Sequence, residues 1–178
     1  TATSTPTPTP TPVLQVTGIS RSGYFLDRLQ PGKRLFGDRT YTFSNPIPAG
    51  FGNRLYIRTP QADRDITTTS LFSFSVNQPV IITLARDSRY AATPSWMVGW
   101  TKSVEVLSST EPGSPLRTLY SKRFDKGTIT LGGNRDASMP SGYSMYNVVI
   151  VSEVTGAADW QLYSEEKKRQ TLAFSMRD

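Results

Sequence analysis

Five side chains have the shape to meet a sugar ring: Tyr90, Trp96, Trp100, Tyr143 and Trp160. An aromatic face lies flat against the C–H groups of a pyranose, while the Tyr and Trp polar ends reach a hydrogen-bond partner. Trp96 and Trp100 stand four apart, so on an extended chain they share a face. Large aromatics near strand ends also close cores, and packing competes with binding at each of these positions. Asp63 and Asp65 form an Asp-x-Asp pair beside Thr67 and Thr68, hard oxygen ligands of the kind Ca²⁺ takes. Arg64 stands between them as a counter-ion and no Asp-x-Asp-x-Asp-Gly loop is present, which favours a surface ion pair over a metal site.

Other chemistries are removed by composition. The chain has no His and no Cys, which excludes the usual general base, the thiolate nucleophile, disulfides and His/Cys metal sites. Its 14 carboxylates supply acids for glycoside hydrolysis in number, but that chemistry needs a fixed separation between two of them that spacing does not give. Gly132-Gly133-Asn134 is followed by no Gly-Lys-Ser/Thr and opens no helix, so it reads as a turn and not as a phosphate cradle. Lys122-Arg123 and Lys167-Lys168-Arg169 lack a helix-turn-helix or RNP context and read as solvated faces. The expectation is no enzyme, no cofactor and no nucleic-acid partner. A formal charge of +6 and a pI near 9.7 leave anionic partners open without choosing among them.

The elements that must position these residues are short. Hydrophobic residues at 37% suffice for a core, and 13 Gly with 13 Pro cut the chain into brief pieces. Residues 1–12 carry Thr at every odd position and Pro at 6, 8, 10 and 12, which fixes extended geometry and forbids a helix. Along such an arm every Thr of Thr5, Thr7, Thr9 and Thr11 offers its N–H and C=O to one side, so it can pair along one edge, and their hydroxyls are candidate O-glycan sites. Val13 to Ile19 then reads as a strand. Further strands are expected at 41–43, 54–59, 71–76, 80–85, 98–107, 116–124, 128–131 and 145–152. In 71–76 the alternation of Phe72, Phe74 and Val76 with Ser73 and Ser75 gives a half-buried strand. Turn signals at 31–32, 45–46, 50–53, 77–79, 111–115 and 132–134 separate these runs.

This pattern predicts an all-β fold: an antiparallel β-sandwich, jelly-roll or immunoglobulin-like, with an extended N-terminal arm, an incomplete barrel being the rival. The expected organisation is an arm over 1–12, a sandwich over 13–153 with 13–19 as a strand that can be donated, and a C-terminal hairpin or short helix over 154–178. No run of 18 apolar residues occurs, so no membrane span is expected.

Gly37-Asp38-Arg39-Thr40-Tyr41, Ile57-Arg58-Thr59-Pro60 with Asp63, Phe72-Ser73-Phe74, Arg86-Asp87-Ser88-Arg89 and Pro94-Ser95-Trp96 make a pattern. So do the run from Phe124 to Asn134 and Met145-Tyr146-Asn147-Val148-Val149-Ile150. Together they resemble a β-sandwich accessory module of large secreted bacterial proteins, found beside carbohydrate-active or adhesive domains. The resemblance covers residues 37–151 and implies a sandwich with no active site; it does not reach the Thr/Pro arm or the tail.

Two functions follow as expectations. In the first, the chain is an extracellular or cell-surface subunit that assembles head-to-tail with identical subunits into a filament. Thr5, Thr7, Thr9, Thr11, Val13, Leu14, Val16 and Ile19 then dock on the neighbour. In the second it is a non-catalytic carbohydrate-binding or adhesive module, contacting glycans through Tyr90, Trp96, Trp100 or Trp160 and tethered by its Thr/Pro linker to a larger secreted protein.

Overall fold

Phe72, Phe74 and Val76 turn inward and are buried while Ser73 and Ser75 stay half-exposed, so the period-two run is a strand with one core face. The computed structural model describes residues 13–153, and Gln15–Glu153 form one compact unit. The arm over 1–12, the tail over 154–178 and Trp160 lie outside the described residues.

Nine strands occur among the described residues: β1 Val16–Thr17, β2 Phe25–Arg28, β3 Leu55–Arg58, β4 Phe72–Val76, β5 Val80–Asp87, β6 Thr101–Leu107, β7 Arg117–Phe124, β8 Gly127–Leu131 and β9 Asn147–Ser152. They make a three-stranded sheet in the order β1-β4-β8 and a six-stranded sheet in the order β2-β3-β9-β5-β7-β6. Every pairing between these strands is antiparallel. The domain is an antiparallel β-sandwich.

The middle of the six-stranded sheet is covered on both faces, which explains why Val148-Val149-Ile150 is a continuous apolar run and not an alternating one. One face, with Ile57 opposite Val148 and Leu84 opposite Val148, meets the smaller sheet; Tyr146, just before β9, donates its hydroxyl to the Gly132 carbonyl at 2.6 Å there. The other face carries Tyr56 and Asn147 and is roofed by residues 29–43. The Phe43 and Tyr56 rings meet edge-on at 5.4 Å, Tyr56 Oη donates to the Arg34 carbonyl at 2.6 Å, and Asn147 Nδ2 donates to the Leu35 carbonyl at 2.6 Å. Leu29, Leu35, Phe36 and Phe43 are all buried in this roof.

Three local expectations change. Phe25–Arg28 is a strand the sequence hides, because its two apolar residues are followed by Asp27 and Arg28. It is an edge strand, with Phe25 46% and Leu26 38% exposed. Residues 41–43 form no strand, only isolated bridges from Thr42 to Arg34 and from Phe43 to Ser109. The expected strand from 98 begins at Thr101, because Ser95–Met97 is a 3-10 turn and Gly99 has a φ of +81°.

The strand expected at 13–19 is also shorter, and its partner is its own domain. Val16 lies opposite Val76 and Thr17 opposite Ser75 on β4. Gln15 N donates to Asn77 Oδ1 at 2.8 Å and Ser20 N to the Ser73 carbonyl at 2.9 Å. Directly opposed residues share a face, so Val16 joins Val76 on the core side. Val13 is exposed, and Leu14 and Ile19 are half-buried.

Candidate functional site

The register places one set of strand ends together. Asp87 at the end of β5 lies opposite Arg117 at the start of β7, Ala85 opposite Asn147 at the start of β9, and Leu107 opposite Arg117. In the smaller sheet Phe72 lies opposite Leu131. The connections 59–71, 108–116 and 132–146, with the start of 88–100, therefore gather at one end of the sandwich, where rigid strands hold them as loops; the rest of 88–100 crosses back along β7, where Trp100 reaches Phe124.

A chain of charges runs through these loops from the interior to the surface. Arg117 is 0% exposed; its Nη2 donates to Glu111 Oε2 at 2.7 Å and its Nη1 to the Met145 carbonyl at 2.7 Å, with the guanidinium 5.1 Å from the centre of the Phe36 ring. Ser144 Oγ donates to Glu111 Oε1, and Ser144 N donates to Asp87 Oδ2 at 2.9 Å. Asp87 in turn accepts Arg89 Nε at 2.9 Å, Arg89 Nη2, and the Arg89 backbone N–H at 3.0 Å. Burial pushes the Asp87 carboxyl up, but the bonds from Arg89 and from the Ser144 and Arg89 N–H groups outweigh it, and its pKa falls below the ordinary value.

That direction has a consequence for stability. A carboxyl depressed in the fold contributes stability above its unfolded pKa of about 3.9, and loses it as pH falls through the lower folded value. The urea midpoint is expected to hold from pH 7 to about pH 5 and to drop below about pH 4. Asp87→Asn should be less stable at neutral pH and fall less steeply in acid; parallel curves for the two proteins would refute the role of Asp87.

The outward end of the chain is a guanidinium stacked on an aromatic ring. The Arg89 side chain is 44% exposed and its guanidinium carbon lies 4.8 Å from the Tyr143 ring centre. Tyr143 is half-buried and meets the buried Tyr90 edge-on at 5.0 Å; Tyr90 rests on the buried Arg86 at 5.0 Å. Beside them Gly142 N donates to Asp65 Oδ1 at 2.8 Å, and Asp65 lies 3.4 Å from both Arg64 and Arg135. That backbone bond and the two guanidinium groups hold the Asp65 carboxyl below the usual range despite some desolvation.

Asn134 joins this cluster to its neighbour. Its Nδ2 donates to the Ser144 carbonyl at 3.0 Å, the Arg64 carbonyl at 3.1 Å and Tyr90 Oη at 3.3 Å, while its own carbonyl accepts Arg86 Nη2 at 2.9 Å. Gly132 and Gly133 before it are buried, so the turn expected at 132–134 is an internal crossing. An added Cβ on Gly132 would sit 2.5 Å from the Trp96 ring, and one on Gly133 would sit 2.1 Å from the Ile66 carbonyl oxygen.

The aromatic residues singled out in the sequence thus fall into two groups and not one platform. Tyr90 and Tyr143 stand with Arg86 and Arg89. Trp96 is pinned by its Nε1 bond to the Gly133 carbonyl at 2.8 Å, and Trp100 packs edge-on against it at 6.0 Å and on Phe124 at 5.9 Å. Trp96 is half-buried with its ring held against Gly132 and Gly133, and Tyr90 lies too deep to offer a face. The Asp-x-Asp pair is also divided: Asp63 accepts Arg21 Nε at 2.8 Å and Tyr24 Oη at 2.8 Å, so its counter-ion is Arg21 and not the adjacent Arg64. The described residues hold no group of three or more acidic, His or Cys side chains placed for a metal.

Sequence reasoning missed Glu111, Arg117 and the role of Asp87 and Arg89. The signal was faint: charged residues that cap apolar strands at both ends of a pairing, Arg86-Asp87 after 80–85 and Arg117 before 119–120.

No family profile matches the sequence, and neither does any curated protein. Among solved structures the fold is similar to part of a beta-glucuronidase from glycoside hydrolase family 2. The TM-score is 0.66 at 18% identity, covering 76% of this chain and 14% of that one. It is also similar to part of a GH138 enzyme targeting pectin rhamnogalacturonan II, with a TM-score of 0.55 at 20% identity, covering 82% and 17%. The chain spans about a sixth or less of the length of each, and the likeness is one of fold. No helix among the described residues is long and apolar enough to cross a membrane.

Proposed function

We propose that this domain is a non-catalytic, carbohydrate-contacting module of a larger secreted protein, with its glycan face at the gathered loop end. The observation that carries this reading is the Arg89–Tyr143 pair: a guanidinium stacked on a half-buried aromatic ring, its direction fixed from behind by the buried Asp87 and its outer edge turned to the surface. Ligand sites use a few precisely placed polar groups of this kind on an apolar support. The occurrence of the same fold within two glycan-processing enzymes supports it. Glu111 and Asp87 at this end are engaged by Arg117, Ser144 and Arg89, so their role here is to orient Arg89 and the loops. The Thr/Pro composition of residues 1–12 suits a tether outside the cell.

The filament reading rests on donation of residues 13–19 to a neighbour. Within one chain Val16–Thr17 pair with the domain's own β4, so donation would require this edge to be released first.

A glycan array followed by calorimetry tests the proposal. Tyr143→Ala is expected to weaken binding to the retained glycan about tenfold, roughly 1.4 kcal/mol, the loss typical of an aromatic anchor. Retention of no glycan by the parent protein, or equal affinity in the Tyr143→Ala variant, would overturn it.

A further inference from the structure

We infer that the sugar recognised at the loop end carries a carboxylate, as in a uronic acid residue. The inference rests on the glycan reading above and names the class of its ligand. Donors and acceptors are left unequally at this surface. Arg89 spends Nε and one N–H of Nη2 on Asp87, and its Nη1 takes no partner among the described residues. The Nη1–Nη2 edge is a planar fork held in one orientation by Asp87 behind and Tyr143 beneath, the geometry that matches a carboxylate with two parallel bonds.

Acceptors, by contrast, are consumed inside the fold. The Asp87 oxygens are taken by Arg89 and by the Ser144 N–H, and the Glu111 oxygens by Arg117 and the Ser144 hydroxyl. Asp65 remains partly exposed, yet it is flanked by Arg64 and Arg135 and tied to Gly142, next to Tyr143. A neutral sugar hydroxyl meets the fork through a single oxygen, where a carboxylate meets it through two. A carboxylate only accepts. Long-range charge acts in the same direction: residues 13–153 contain 16 Lys and Arg against 10 Asp and Glu, so the whole +6 of the chain resides in this domain.

The test compares polygalacturonate, its fully methyl-esterified form and dextran sulfate as probes, by calorimetry at about 0.15 M salt. The parent is expected to bind polygalacturonate at least tenfold more tightly than the ester. Arg89→Gln should lose at least tenfold toward the acid and little toward the ester. Arg89→Lys keeps a cation for Asp87 but not the fork, so it should lose most of the same preference. It decides the matter if Arg89→Gln fails to fold. Lys102→Gln with Lys126→Gln, away from the loop end, should leave the preference intact. Equal affinity for acid and ester overturns the carboxylate inference and leaves the glycan reading standing. Absence of binding to both forms overturns the inference, and the glycan array then decides the broader reading. Equal retention of dextran sulfate, unmoved by Arg89→Lys, also overturns it by reducing the effect to general charge.

Discussion

Gly133→Ala is expected to destabilise the domain by more than about 3 kcal/mol. The added methyl would lie 2.1 Å from the Ile66 carbonyl oxygen and 2.7 Å from its carbon, and both belong to backbone. Flexible side chains can yield to an intruding atom; here a loop must move, and with it Asn134, whose side chain binds three other segments. Overpacking typically costs about 1–3 kcal/mol, and this contact sits at or beyond the upper end. Domain stability is only about 5–15 kcal/mol, so a loss above about 3 kcal/mol should appear as poor soluble yield or a much lower urea midpoint. A variant within about 1 kcal/mol of the parent would show that the crossing is looser than its geometry. Gly132→Ala should be milder, since the Trp96 ring can tilt at the expense of its bond to the Gly133 carbonyl.

Glu111→Ala is expected to cost about 3–5 kcal/mol, because it leaves the Arg117 guanidinium charged and without its carboxylate in a fully buried position. Burial already pushes the Arg117 pKa down, with Glu111 the main opposing influence. The pair as such is a different matter, since two desolvated charges often contribute little net stability. Glu111→Leu combined with Arg117→Met should therefore be distinctly more stable than Glu111→Ala alone, although it gives up the bond to the Met145 carbonyl and the Phe36 contact. Chemical denaturation of the two variants measures this directly. A double variant no better than the single one would mean that Arg117 acts mainly through the Met145 carbonyl.

Strand periodicity made the sandwich legible. The alternation in 71–76 and the apolar run in 147–152 declared themselves, because burial on one face or two writes a period directly into residue types. Phe25–Arg28 did not, being an edge strand whose apolar residues stay exposed. The roof over 29–43 was invisible for another reason: side-chain to carbonyl bonds from Tyr56 and Asn147 hold it, and such contacts leave no period. At the loop end the aromatics were noticed but their grouping was not, since Trp96 is claimed by two glycines 36 and 37 positions later. The charges from Arg117 to Arg89 likewise come together only through the register of β5 with β7.

The position of β9 bears on how the chain is made. It is the last of the described strands in sequence yet lies near the middle of the larger sheet, between β3 and β5. As the polypeptide leaves the ribosome, β2 with β3 and β5 with β6 and β7 can pair early, but the two halves stay apart with unpaired facing edges until residues 147–152 emerge. Long-range pairing of this kind is slow and leaves sticky edges open in the meantime. A nascent chain stalled just after β7 should accordingly recruit chaperones, and release of β9 should end that dependence.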